Sequence, residues 1–95
     1  MSAEPARSVR FALGRTVITR GALDAVEGVD VHAGIARHAR GDWGDLCSED
    51  KQANDDALQV GTRLLSAYRT DAGRKFWIIT EADRSATTVL LPEEY

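Results

Sequence analysis

Residues 63–92 read RLLSAYRTDAGRKFWIITEADRSATTVLLP. Two polar turns, 70–74 and 83–85, divide this stretch into three extended runs. Lys75 to Ala82 (KFWIITEA) is dense in aromatic and β-branched residues, which suit a pleated, half-buried surface. Arg63 to Arg69 precedes it across a hairpin loop in which Gly73 supplies a positive φ. Ala86 to Leu91 returns antiparallel, and Pro92 stops the strand. This reading predicts a three-stranded antiparallel meander.

Upstream the period changes. Val9 to Thr19 reads as a strand, with Val9, Phe11 and Leu13 alternating against Arg10 and Ala12 and a bulge or turn at Gly14. Thr19 caps a short helix, Arg20 to Glu27, with Leu23 and Val26 inward and Gly28 as its stop. Asp30 caps a second, Val31 to Arg40, closed by Gly41; Val31, Ile35 and His38 share one face. Trp43 sits between Gly41 and Gly44 in a tight linker. Ser48 caps a third helix, which runs to Val60 with Ala53, Ala57 and Val60 inward, and Gly61 ends it. The expected fold is therefore α+β. One strand and three short helices precede the meander, and the helices pack on one face of the sheet. Whether the first strand joins that sheet at an edge is left open. Residues 9–95 form a single domain, and residues 1–8 a flexible N-terminus, since Ser2 to Ala6 offer little to bury.

Charge is uneven. Residues 1–41 carry +2, residues 42–56 carry −5, and residues 57–95 balance, for a net −3. A broad polybasic surface for duplex DNA or anionic lipid is absent from this pattern. Arg7, Arg10, Arg15 and Arg20 allow a smaller basic patch. One Cys excludes an intramolecular disulfide, and the lack of a signal peptide or long apolar run predicts a cytoplasmic protein with no membrane attachment. His32 with Cys47 is too little for a metal site, the acids do not match an EF-hand, and there is no P-loop, GxGxxG or nucleophile elbow. Neither metal nor cofactor is expected.

At Ala36–Leu46 (ARHARGDWGDL), Glu49–Asp55 (EDKQAND) and Phe76–Tyr95 (FWIITEADRSATTVLLPEEY), the chain resembles a family of short, stand-alone bacterial proteins. These occur in chromosomes and on plasmids or other mobile elements. The resemblance spans about Phe11 to Tyr95 and brings no established activity; a type I restriction label often attached to such proteins finds no support in these residues. In layout, helices carrying a His ahead of an antiparallel sheet carrying Arg and Ser/Thr resemble the small metal-independent RNases: barnase, RelE-type toxins and colicin tRNases.

Two function classes follow. Metal-independent RNA cleavage needs a base for the 2′-hydroxyl, an acid for the leaving 5′-oxygen and a cation for the phosphate. His38 and Glu81 would move the protons and Arg84 would clamp the phosphate, with Thr87 or Thr88 as positioning donor. Ser85, Arg37 and a base-stacking Trp43 would hold the RNA. This reading requires His38, Glu81 and Arg84 to line one cleft. Otherwise His38 completes an apolar face, Trp43 is a core anchor, and residues 80–88 are a solvated loop. The second class is a non-catalytic protein-binding module of mobile-element type, in which Asp42, Asp45, Asp55 and Asp56 engage a basic partner protein. A third use of these acids is simply a solvated, helix-capping face.

Overall fold

The structure is a computed structural model, and it describes residues 9–95; the expected flexible segment 1–8 and Arg7 lie outside that range. The class is α+β, as expected. The elements run β1 (Arg15–Ile18), α1 (Arg20–Ala25), α2 (Gly28–Ala39), α3 (Ser48–Val60), β2 (Leu64–Arg69), β3 (Lys75–Thr80) and β4 (Ala86–Leu90), then a 3-10 turn at Pro92–Glu94. The sheet order is β1-β4-β3-β2. The meander forms with Leu64 opposite Thr80 and Thr80 opposite Thr87. β1 does join the sheet, as an edge strand parallel to β4, with Val17 beside Thr88.

Several local expectations are corrected. Residues 9–13 form no strand and bend at Phe11, and β1 begins only after Gly14 (φ 65°). A Cβ at Gly14 would lie 2.4 Å from the Ser85 carbonyl carbon, so the chain turns there against the β3–β4 loop. Thr19 caps α1 as expected, accepting from the Ala22 amide. However, Ala22 and Val26 are its buried residues, whereas Leu23 is exposed. Gly28 opens α2 instead of ending α1, and Asp30 sits in the first turn of α2, where its charge suits the helix dipole. α3 is capped at Cys47, not Ser48, and Ala53 and Val60 face solvent; Asn54 and Ala57 are its buried residues.

Side chains alternate across the sheet. Leu64, Ser66, Tyr68, Phe76, Ile78, Thr80, Thr87 and Val89 are buried under the helices. One apolar cluster contains Ala22, Val26, Tyr68, Phe76, Ile78, Val89 and Leu91, with Ile18, Val31 and Ile35 against it. A second contains Trp43, Ala57 and Leu64, with Phe11, Leu46 and Leu58. Trp77, a large apolar residue in mid-strand, does not enter the core. It is only half-buried, on the sheet face away from the helices, with its ring edge-on to Tyr95 at 5.6 Å.

One glycine sets the depth of α2. Gly34 is buried mid-helix, and a Cβ there would stand 2.9 Å from the Phe76 ring. Glycine inside a helix costs about 1 kcal/mol relative to alanine. Here it lets α2 settle onto β3, which brings His38, one turn later, down to the sheet.

Candidate functional site

His38 is fully buried. Its Nδ1 lies 2.5 Å from Ser66 Oγ on β2 and its Nε2 lies 2.8 Å from Thr80 Oγ1 on β3. Thr80 Oγ1 is 2.7 Å from Thr87 Oγ1 on β4, and the Thr87 hydroxyl donates to the Leu13 carbonyl at 2.7 Å. The direction of the Thr80 and Nε2 protons follows from that last bond. A carbonyl only accepts, so the single Thr87 hydrogen goes to Leu13. Thr80 must then donate to Thr87 and His38 Nε2–H must donate to Thr80; with the buried ring neutral, Nδ1 is bare and Ser66 donates to it. The chain Ser66 to His38 to Thr80 to Thr87 to Leu13 is thus one-way, and it selects the Nε2–H tautomer of the neutral ring.

The rings around it reinforce that state. Phe11 meets the imidazole edge-on at 5.2 Å and Trp43 at 5.8 Å. Burial, and after it the Arg84 charge, push the His38 pKa down from 6.5 to about 4. At neutral pH the imidazole carries no charge, which suits a site whose remaining lining is aromatic and hydroxylic.

Arg84 occupies the positive-φ position of the β3–β4 turn (φ 62°). Its Nη1 donates to the carbonyls of Thr62 (2.7 Å), Glu81 (3.1 Å) and Ala82 (3.3 Å), and Nη2 donates to that of Ala57 (3.2 Å). α3 has no basic residue in its own last turn. Arg84 supplies that cation from across the fold, against the helix's carbonyl end. The guanidinium also lies 5.7 Å from the Phe11 ring centroid.

The open cleft needed for RNA cleavage therefore does not form. His38 has no exposed surface and Arg84 is hydrogen-bonded to four backbone carbonyls. Glu81 is exposed, and its carboxylate has no hydrogen-bond partner among the described residues. Thr87 is sealed in the hydroxyl chain, whereas Thr88 lies on the opposite face of the sheet, between Val17 and Ile79 in register. Trp43, at 4% exposure, presents no ring face to a base; it anchors the second cluster, and its Nε1 donates to Asp55 at 3.0 Å. The Ser85 amide donates to Asp83 within the turn.

Arg37 is held by Asp42 through two hydrogen bonds, 2.8 and 3.2 Å, and stands 4.7 Å over the Tyr68 ring. Its hydrogen bond keeps the Asp42 carboxyl below the usual range. Asp42 also accepts from the Gly44 amide, and its carbonyl accepts from the Tyr68 hydroxyl. Burial pushes that hydroxyl up to about 12. Asp42 is thus a structural clamp on the Trp43 loop. Asp45 pairs with Arg69 at 3.1 Å and Asp56 accepts from Gln52 at 3.1 Å, both exposed.

The acidic surface has a feature the sequence reading missed. Leu46, Asp50, Ala53, Asn54 and Leu65 line an open notch of about 270 Å³ between α3 and β2. Its floor is largely apolar and Asp50 stands on its rim, with Glu49 exposed next along the helix. Nothing local signals it, because Leu65 comes from a strand eleven residues beyond Asn54. Asn54 itself is the link: its amide donates to the Leu65 carbonyl at 2.7 Å and its Oδ1 accepts from the Leu65 amide at 3.1 Å.

Among the described residues, no group of three or more His, Cys, Asp or Glu side chains is placed to hold a metal ion. No helix there is long and apolar enough to cross a membrane. No family model, curated protein or solved structure matches the chain.

Proposed function

We propose that this chain is a non-catalytic, cytoplasmic protein-binding module, of the mobile-element type its motifs resemble, that docks a basic partner protein through the 42–56 surface. The observation that carries this reading is the notch beside Asp50. An Arg or Lys side chain from a partner would lay its aliphatic stem on Leu46, Ala53 and Leu65 and place its charge at the Asp50 carboxylate, the usual division of labour for such side chains. Glu49 and Asp56, exposed elsewhere on the same helix, would add negative field around it, which steers encounter more than it holds the complex. Asp42 and Asp55 serve the surface indirectly, by fixing the loop and Trp43.

The RNA-cleavage reading draws less support. A general base must reach the proton it takes, and a buried imidazole with both nitrogens bonded to fixed hydroxyls offers no lone pair to substrate.

The test is a titration with a peptide alternating Leu and Arg, followed by amide chemical shifts. Shifts should cluster at Leu46, Asp50, Ala53 and Leu65. Asp50→Asn should weaken binding several-fold, and Ala53→Phe, which fills the notch and leaves every acid in place, should abolish it. Binding that survives Ala53→Phe removes the notch as the seat. Metal-free RNA cleavage by the purified chain, lost in Glu81→Gln, would replace this reading with the catalytic one.

A further inference from the structure

The two edges of the sheet are finished differently. Along β2 every outward backbone group in the middle of the strand is occupied. Asn54 takes both groups of Leu65. Ala67 donates to the Trp43 carbonyl at 3.1 Å and accepts from the Asp45 amide at 2.6 Å. The approach is close: a Cβ at Gly44 would stand 2.0 Å from the Ala67 carbonyl oxygen. At the other edge, β1 uses its odd-numbered residues toward β4, with the Arg15 amide on Ser85 and the Thr19 amide on Val89. Thr16 and Ile18 therefore turn their N–H and C=O groups outward. Among the described residues no segment meets them, and Arg15, Thr16 and Val17 are exposed. An unpaired edge of this kind is a template for a further strand.

We propose that the occupant is a second copy of this chain, paired antiparallel through β1 about a two-fold axis at Val17. The register follows from which residues face outward. In an antiparallel pair, doubly bonded positions alternate with non-bonded ones. Thr16 of one copy exchanges both bonds with Ile18 of the other, and the symmetry repeats the exchange. Val17, 42% exposed, then meets its own counterpart at the close, non-bonded position on the open sheet face. The same register sets Arg15 opposite Thr19 of the other copy. Thr19 donates to the Glu94 carboxylate at 2.6 Å, and Glu94 also accepts from the amides of Gly21 and Leu91. Each Arg15, which has no ion-pair partner among the described residues, thus arrives beside a Glu94 carboxylate of the opposing copy. Like charges are kept apart and opposite charges meet twice. This interface lies at the opposite sheet edge from the notch, so it leaves both acidic surfaces free at the far ends of a doubled sheet.

Sedimentation velocity on the whole chain tests this. The wild type should sediment at about twice the 10.4 kDa chain mass at high micromolar concentration and dissociate on dilution. Thr16→Pro removes an outward donor and leaves the β1–β4 bonds intact. Val17→Lys sets two ammonium groups against each other at the axis. Both should run at the single-chain mass with unchanged far-ultraviolet circular dichroism. Arg15→Glu should weaken association, and added salt should weaken the wild type in the same direction. A wild type at single-chain mass throughout overturns the proposal, as do Thr16→Pro and Val17→Lys variants that remain folded and doubled. A wild-type chain that stays single and instead adds a synthetic extended peptide at β1 overturns the choice of occupant.

Discussion

Nε2 of His38 donates to Oγ1 of Thr80 across 2.8 Å, and the direction of that bond is dictated from the far end of a hydroxyl chain by the carbonyl of Leu13. The chemistry of the one buried imidazole is thereby fixed by backbone that lies before the first strand. The consequences can be measured.

The first is a pH dependence. The folded His38 pKa is about 4 against an ordinary 6.5. Below pH 6.5 the unfolded chain takes up a proton that the folded chain refuses, so stability is full above 6.5 and falls as pH drops toward 4. The loss across that window is on the order of 3 kcal/mol. Urea denaturation at pH 7, 6 and 5 should show it. A His38→Gln variant, less stable at pH 7, should have a flatter profile between pH 6.5 and 5. An equal slope in both proteins would detach the effect from His38.

Breaking the hydroxyl chain should be costly in proportion to what is left unpaired. Thr80→Val keeps the side-chain shape but orphans His38 Nε2–H and removes a donor to Thr87. A loss of about 3 kcal/mol is expected, at the upper end for an unsatisfied buried donor. Thr87→Val should cost about 2 kcal/mol. The double variant should cost clearly less than the two singles together, because both act on one network. Strict additivity in urea melts would mean the bonds act separately.

Arg84 is expected to matter for stability. Arg84→Ala uncaps α3 and frees the Thr62 and Glu81 carbonyls, at about 2 kcal/mol. Arg84→Lys should recover little, since one ammonium cannot span both Ala57 and Thr62. The His38 pKa should rise in Arg84→Ala, because a nearby positive charge is removed. A nuclear magnetic resonance titration reads this directly, and a value that does not move would contradict the electrostatic account.

Asn54 predicts an aggregation phenotype. Asn54→Ala leaves both Leu65 backbone groups open at the β2 edge and should cost about 1–3 kcal/mol. It should also raise light scattering on mild heating, as unprotected edges do. An Asn54→Ala chain that melts like the wild type would show that water replaces the amide without loss.

The meander was legible because Phe76, Trp77, Ile78 and Ile79 combine β propensity with clear turns on both sides. The β1 pairing was not, because parallel partners 71 residues apart leave no local trace, and Arg15–Ile18 is too short to fix its own neighbour. Helix starts were read from the nearest cap-type residue, yet Glu27 and Cys47 hold the cap positions assigned to Asp30 and Ser48, neither with a side-chain capping bond. His38 was correctly placed with Val31 and Ile35 on one face. The depth to which it sinks depends on Gly34 meeting Phe76, a contact between distant segments. Arg84 looked like an anion clamp because its sequence neighbours are polar; that its targets are carbonyls of α3 and the loop after it depends on the tertiary turn.

The one-way hydroxyl chain also proofreads strand alignment. A slip of one residue between β3 and β4 would carry Thr87 to the outer face and bring Thr88 or Ala86 inward. Thr80, still accepting from His38, would then hold a buried hydroxyl proton with no acceptor. A slip of β2 would remove Ser66 and leave His38 Nδ1 a buried acceptor without a donor. Mis-registered forms of this sheet would keep much of their hydrophobic burial, since Leu and Ile are common on both faces. They would fail at the hydroxyls, because only one alignment terminates the chain on the Leu13 carbonyl. His38, unreachable from solvent, is in this sense the residue that tells the native pairing from its near neighbours.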